Sequence, residues 1–64
     1  MMRPGIALRD DADFDYALQF KQEVEVLLDG EVDYRGTLVS YSRDLLQVIG
    51  GDRYLRRLVE VKTV

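Results

Sequence analysis

The chain has no cysteine, no histidine and no tryptophan, and only one proline among its 64 residues. Without cysteine there can be no disulfide, and without cysteine or histidine the usual zinc ligand sets cannot be assembled. The missing histidine also closes the triad route to activating Ser40 or Ser42, so the expectation is a protein that is not an enzyme and uses no cofactor and no metal. Long apolar runs are lacking as well. The longest are pairs and triplets such as Val26-Leu27-Leu28, far short of the ~20 residues of a membrane helix. Acidic residues at Asp10 and Asp11 interrupt the start before a leader-like apolar stretch develops. No membrane partner is expected, and the default address is cytoplasmic.

What is present is the mixture of a folded domain: 47% hydrophobic and 33% charged residues. A chain this short buries only about 60% of the surface its unfolded form exposes. With no covalent or metal staple available, association with another copy is the expected extra source of stability. Nine basic against twelve acidic residues leave a net charge of -3, so no overall field draws in nucleic acid. The charges are unevenly placed. Asp10, Asp11, Asp13 and Asp15 crowd one segment, and Arg53, Arg56 and Arg57 crowd a later one.

Residues 1–9 hold the proline and an early glycine with no periodic pattern and read as a flexible arm preceding a single domain over 10–64. Phe14, Ala17 and Leu18 lie at helical spacing, widened by Tyr16 and Phe20. The aspartates before them can cap the first turn, which predicts a helix from about Asp11 to Phe20. From Glu23 the period becomes two: Val24, Val26 and Leu28 share one face, with Glu23 and Glu25 on the other. Asp29-Gly30 is a hairpin signal, because a type I′ turn needs positive φ and Gly30 supplies it freely. A second strand is expected over Val32 to Tyr41, with Val32, Tyr34, Gly36 and Leu38 on one parity. Gly36 inside it marks a bend or a close backbone approach. Ser42-Arg43-Asp44 reads as a turn, Leu45 to Ile49 as a third strand and Gly50-Gly51-Asp52 as a hairpin turn. Arg53 to Arg56 and Val59 to Val64 complete the set. The expectation is a mainly β fold, in which a short N-terminal α-helix precedes a five-stranded, strongly bent antiparallel sheet. Gly30, Gly36, Leu38, Gly50 and Gly51 are its fold-determining positions.

Between Val24 and Ile49 the order of residues resembles the first signature of the Sm-like family, which includes the Sm and LSm proteins. The matching residues are the alternating Val24, Val26 and Leu28, then Gly30, Gly36-Thr37-Leu38, Tyr41 and the apolar run from Leu45 to Ile49. The resemblance covers about 26 residues, with an echo at Tyr54-Leu55-Arg56. It implies a small closed barrel whose last two strands pair with neighbouring subunits to form a ring, and single-stranded RNA as partner. Compact barrels of the Src-homology, Tudor and oligonucleotide-binding types share the same broad pattern. The chain departs from the family where the base is read. At the positions of the family's Asp, stacking residue and uracil-reading Asn stand Ser42, Asp44 and Leu46, and Arg56 is followed by Arg57 rather than Gly.

Three groups compete as functional sites. The aspartates at 10, 11, 13 and 15 could attract a hard cation, but helix capping accounts for them more simply. Glu23 and Glu25, roughly 6–7 Å apart on one strand face, read as solvated surface. Arg53, Tyr54, Arg56 and Arg57 combine positive charge with an aromatic ring, the ingredients of phosphate contact and base stacking. Tyr16, Tyr34 and Tyr41 read as core or interface residues with a wet hydroxyl. Two functions follow: a ring-forming module binding single-stranded RNA without base specificity, or a protein-interaction or assembly module that has lost the base pocket. No small-molecule substrate is expected.

Overall fold

The computed structural model describes residues 3–64. Strand β1 is Ala7–Leu8, helix α1 is Asp11–Gln19, and strands β2 (Val24–Leu28), β3 (Glu31–Gly36), β4 (Leu38–Tyr41) and β5 (Leu45–Val48) follow. The chain ends with β6 (Arg53–Leu55), a 3-10 turn at Arg56–Leu58 and β7 (Glu60–Thr63). The strands form two antiparallel sheets, one in the order β1-β7-β2-β3 and the other β4-β5-β6. The fold is therefore mainly β with one helix, as the periodicity predicts. The strands are not hydrogen-bonded into one closed five-stranded barrel.

Local chemistry explains the elements. Asp10 caps α1: its side chain accepts from the Asp13 N–H, and Asp13 Oδ2 accepts from the backbone N–H groups of Arg9 and Asp10. Those backbone donors, the Arg9 N–H foremost, hold the Asp13 carboxyl below the usual carboxylate range. The helix ends where Lys21 enters the left-handed region at φ 51, with Gln22 N–H donating to Ala17 O at 2.9 Å. The Asp29-Gly30 turn has φ 50 and 80, the double positive φ that its sequence predicts.

The expected second strand divides at Thr37 into β3 and β4, one in each sheet. At Gly36 an added Cβ would lie 2.8 Å from Tyr34 Cζ, so the ring that crosses the bend would have to move. Upstream, the β2–β3 register shifts between Val26 and Leu27: Val26 faces Tyr34, but Leu27 faces Val32. Asp33 is the extra residue, and a one-residue slip reverses the faces. Val32 is consequently exposed, although it shares parity with Tyr34 and Leu38, and Leu28 is exposed beyond the same bulge. Val24, Val26, Leu46 and Val48 are fully enclosed between the sheets, with Leu38 and Tyr54 beside them.

The arm read as flexible over 1–9 contains β1, whose Ala7 and Leu8 pair with Lys62 and Val61. Residues 1 and 2 lie outside the described residues. A two-residue strand has no period for the sequence to display, but Leu8 is buried in the core and anchors it. As a result β7 is an interior strand between β1 and β2, while β6 is a sheet edge. Among the described residues, no helix is long and apolar enough to cross a membrane.

Candidate anion-binding groove

The link from β6 through the 3-10 turn into β7 passes beneath the start of α1. Between this link, β1 and the β4–β5 turn lies an open groove of about 530 Å³. Four of the chain's seven arginines line it: Arg9, Arg43, Arg56 and Arg57. Three elements deliver them, namely the end of the arm, the β4–β5 turn and the 3-10 turn. A smaller hollow of about 330 Å³, lined by Arg43, Asp44, Leu55, Arg56 and Arg57, shares three of these arginines and extends the basic surface.

Arg56 differs from the other three. Its guanidinium donates to Asp11 Oδ1 at 2.8 Å, to Ser42 O at 2.7 Å and to Arg9 O at 3.4 Å. It also covers the Phe14 ring at 4.5 Å from the centroid. Arg56 thus ties the helix, the arm and the β4–β5 turn together, and its hydrogen-bonding capacity is largely spent inside the fold. Arg9, Arg43 and Arg57 form no ion pair among the described residues. The only carboxylate on the groove lining is Glu60, which lies 4.0 Å from Lys62 Nζ.

The four residues singled out in the sequence are dispersed by the fold. Tyr54 points inward and is buried, with its hydroxyl donating to Asp33 Oδ2 at 2.7 Å. Burial first, and then this carboxylate, pushes the phenol up to about 12. Arg53 is exposed on the outer face of β6, opposite Gln47 of β5. Of the four, only Arg56 and Arg57 reach the groove. No family model, no curated protein and no solved structure matches the chain. The groove must therefore be read from its own residues.

Arg9 and Arg43 were not visible as site residues because they stand alone in sequence. What joins them to Arg57 is the tertiary placement of the arm, the β4–β5 turn and the 3-10 turn, which has no local signal in the sequence. The acidic segment is also divided: Asp10 and Asp13 cap the helix, Asp11 pairs with Arg56, and Asp15 accepts from the Tyr41 hydroxyl at 2.6 Å. That last bond is the main reason the Tyr41 phenol is pushed up to about 12. Glu25 lies on the outer face of its sheet, in register with Lys62 on one side and Arg35 on the other. Tyr16 stacks on Phe20 at 4.5 Å, and Tyr34 donates to Thr37 O at 3.5 Å.

The groove chemistry is simple. Three guanidiniums without carboxylate partners can each present parallel N–H donors to phosphate or carboxylate oxygens. The lining carries no hydroxyl, and its one aromatic ring, Phe14, is covered by Arg56. Such a surface can hold an anion by charge and hydrogen bonding but offers no open ring for a base to stack on.

Proposed function

We propose that this chain is a small Sm-like binding module, cytoplasmic and non-catalytic, that holds the phosphate backbone of single-stranded RNA without reading its bases. The single observation carrying this reading is the convergence of Arg9, Arg43 and Arg57, without carboxylate partners, on one groove. The Sm-like assignment draws support from the order of elements. A helix is followed by a hairpin, a strand broken after Gly36 across two sheets, and a last strand that returns beside β2. Buried Leu46, standing where the family reads uracil, agrees with binding by backbone alone.

Self-association is part of the proposal. It would use the β6 edge and the outward-facing pair Leu45 and Leu55, each 39% exposed and in register across β5 and β6. The same features favour the second reading, a protein-interaction module without RNA.

The deciding experiment is fluorescence anisotropy of labelled oligouridylate and oligoadenylate over a salt series. The expected result is binding at low salt with no base preference. Arg43→Ala and Arg57→Ala should each weaken binding and make the salt slope shallower by about 0.7, the share of one neutralised phosphate on a single strand. No binding at low salt, or binding indifferent to both substitutions, rejects the RNA reading. A solution mass that is a multiple of 7.4 kDa would then leave the assembly module standing.

A further inference from the structure

The groove is not built from the two sheets alone. One side of it is the arm, Ala7, Leu8 and Arg9, together with Val59, Glu60 and Val61 leading into β7, the strand on which the arm lies. Besides the pairing of Ala7 with Lys62 and Leu8 with Val61, the arm is held on β7 outside the groove, at Thr63. The Thr63 N–H donates to Ile6 O at 2.9 Å, and Thr63 O accepts from the Gly5 N–H at 2.7 Å. The Thr63 hydroxyl accepts from the Ile6 N–H at 2.9 Å and donates to Arg3 O. Thr63 is buried, whereas Arg3, Pro4, Gly5 and Ile6 are all exposed. The arm is thus a short outer strand, fastened at its start by Thr63 and at its end by the two β1–β7 pairs and the buried Leu8. Such a two-residue edge strand, with exposed residues leading into it, opens locally at lower cost than the sheet behind it.

We propose that docking of the arm and occupation of the groove are coupled. A bound polyanion holds the arm on β7, and a loosened arm weakens the polyanion site. The inference rests on the function proposed above and names the regulation of that same groove. Its physical basis is linkage. Arg9 contributes its guanidinium to the site only when the arm lies along β7, so a ligand touching Arg9 binds the docked state more tightly than the open one. By reciprocity, whatever shifts the arm toward the open state lowers affinity by the same factor. Arg56 reinforces the coupling, because it donates to Arg9 O while its own guanidinium lines the groove.

The test uses a substitution remote from the groove lining. Thr63→Val keeps a β-branched side chain and the full set of arginines but removes the hydroxyl that fastens Ile6 and Arg3. Both partner groups belong to exposed residues and can turn to water, so the fold is retained. Oligouridylate serves as the probe, with binding followed by anisotropy and the Gly5 and Thr63 amides followed by NMR hydrogen exchange. Thr63→Val is expected to bind roughly 5-fold more weakly than the wild type, the low end of measured couplings. Thr63→Ser, which restores the hydroxyl, is expected to recover affinity. In the wild type, saturating oligouridylate should slow exchange of both amides by a comparable factor. Unchanged exchange with the groove saturated, or wild-type affinity in a folded Thr63→Val, overturns the coupling and leaves the function intact. A wild type that does not bind oligouridylate at low salt overturns both.

Discussion

At the scale of single residues, Arg56 joins Asp11, Ser42, Arg9 and Phe14, and its importance is structural before it is functional. Its ion pair with Asp11 adds little, because the Asp11 side chain is 69% exposed. The bond to Ser42 O contributes more, since it joins a charged donor to a backbone carbonyl beneath the helix. Together with the face of Phe14, these interactions predict that Arg56→Ala loses about 2–3 kcal/mol of folding stability, read from urea denaturation. Arg56→Lys should recover only part of that, because an ammonium has no second nitrogen to reach Arg9 O and cannot lie flat on the Phe14 ring. An Arg56→Ala protein as stable as the wild type would make Arg56 an ordinary surface cation.

At the scale of elements, alternation and turn chemistry made most strands legible. Val24 and Val26 mark the core face of β2, Gly30 the first turn, and Gly50 and Gly51 the last, with φ of 105 and 94. What the pattern could not display was the bulge at Asp33, which leaves Val32 in solvent, and the two-residue β1, too short to have a period. Gly36 was legible as a bend, and the reason is the Tyr34 ring lying over it. Gly36→Ala must push that ring aside and disturb its hydrogen bond to Thr37 O. The expected cost is about 1–3 kcal/mol, typical of overpacking. A shift of the Tyr34 ring resonances in NMR would accompany it, whereas an unshifted ring and unchanged stability would mean that the bend does not need glycine. The candidate site was the least legible part. Its arginines come from positions 9, 43 and 57, and no local pattern links residues that meet only where the arm, the β4–β5 turn and the 3-10 turn come together.

At the scale of the whole molecule, two phenols tie the separate parts across the gap between hydrogen-bonded ladders. Tyr41 of β4 donates to Asp15 of α1, joining the helix to one sheet. Tyr54 of β6 donates to Asp33 of β3, joining that sheet to the other. Both phenols are pushed up to about 12 in the folded chain, against an ordinary value near 10 in the unfolded one. A group whose folded value is raised contributes stability that is fully present below its unfolded value and is lost as pH rises through its folded value. The denaturation midpoint should therefore fall between about pH 10 and 12, as each phenolate comes to face the carboxylate it once donated to. The comparison that isolates the phenols is the double variant Tyr41→Phe, Tyr54→Phe. It should be less stable than the wild type near neutrality, because two donors are gone, yet its stability should decline less steeply across the alkaline window. Equal slopes for the two proteins would show that these hydroxyls do not hold the helix and the two sheets together.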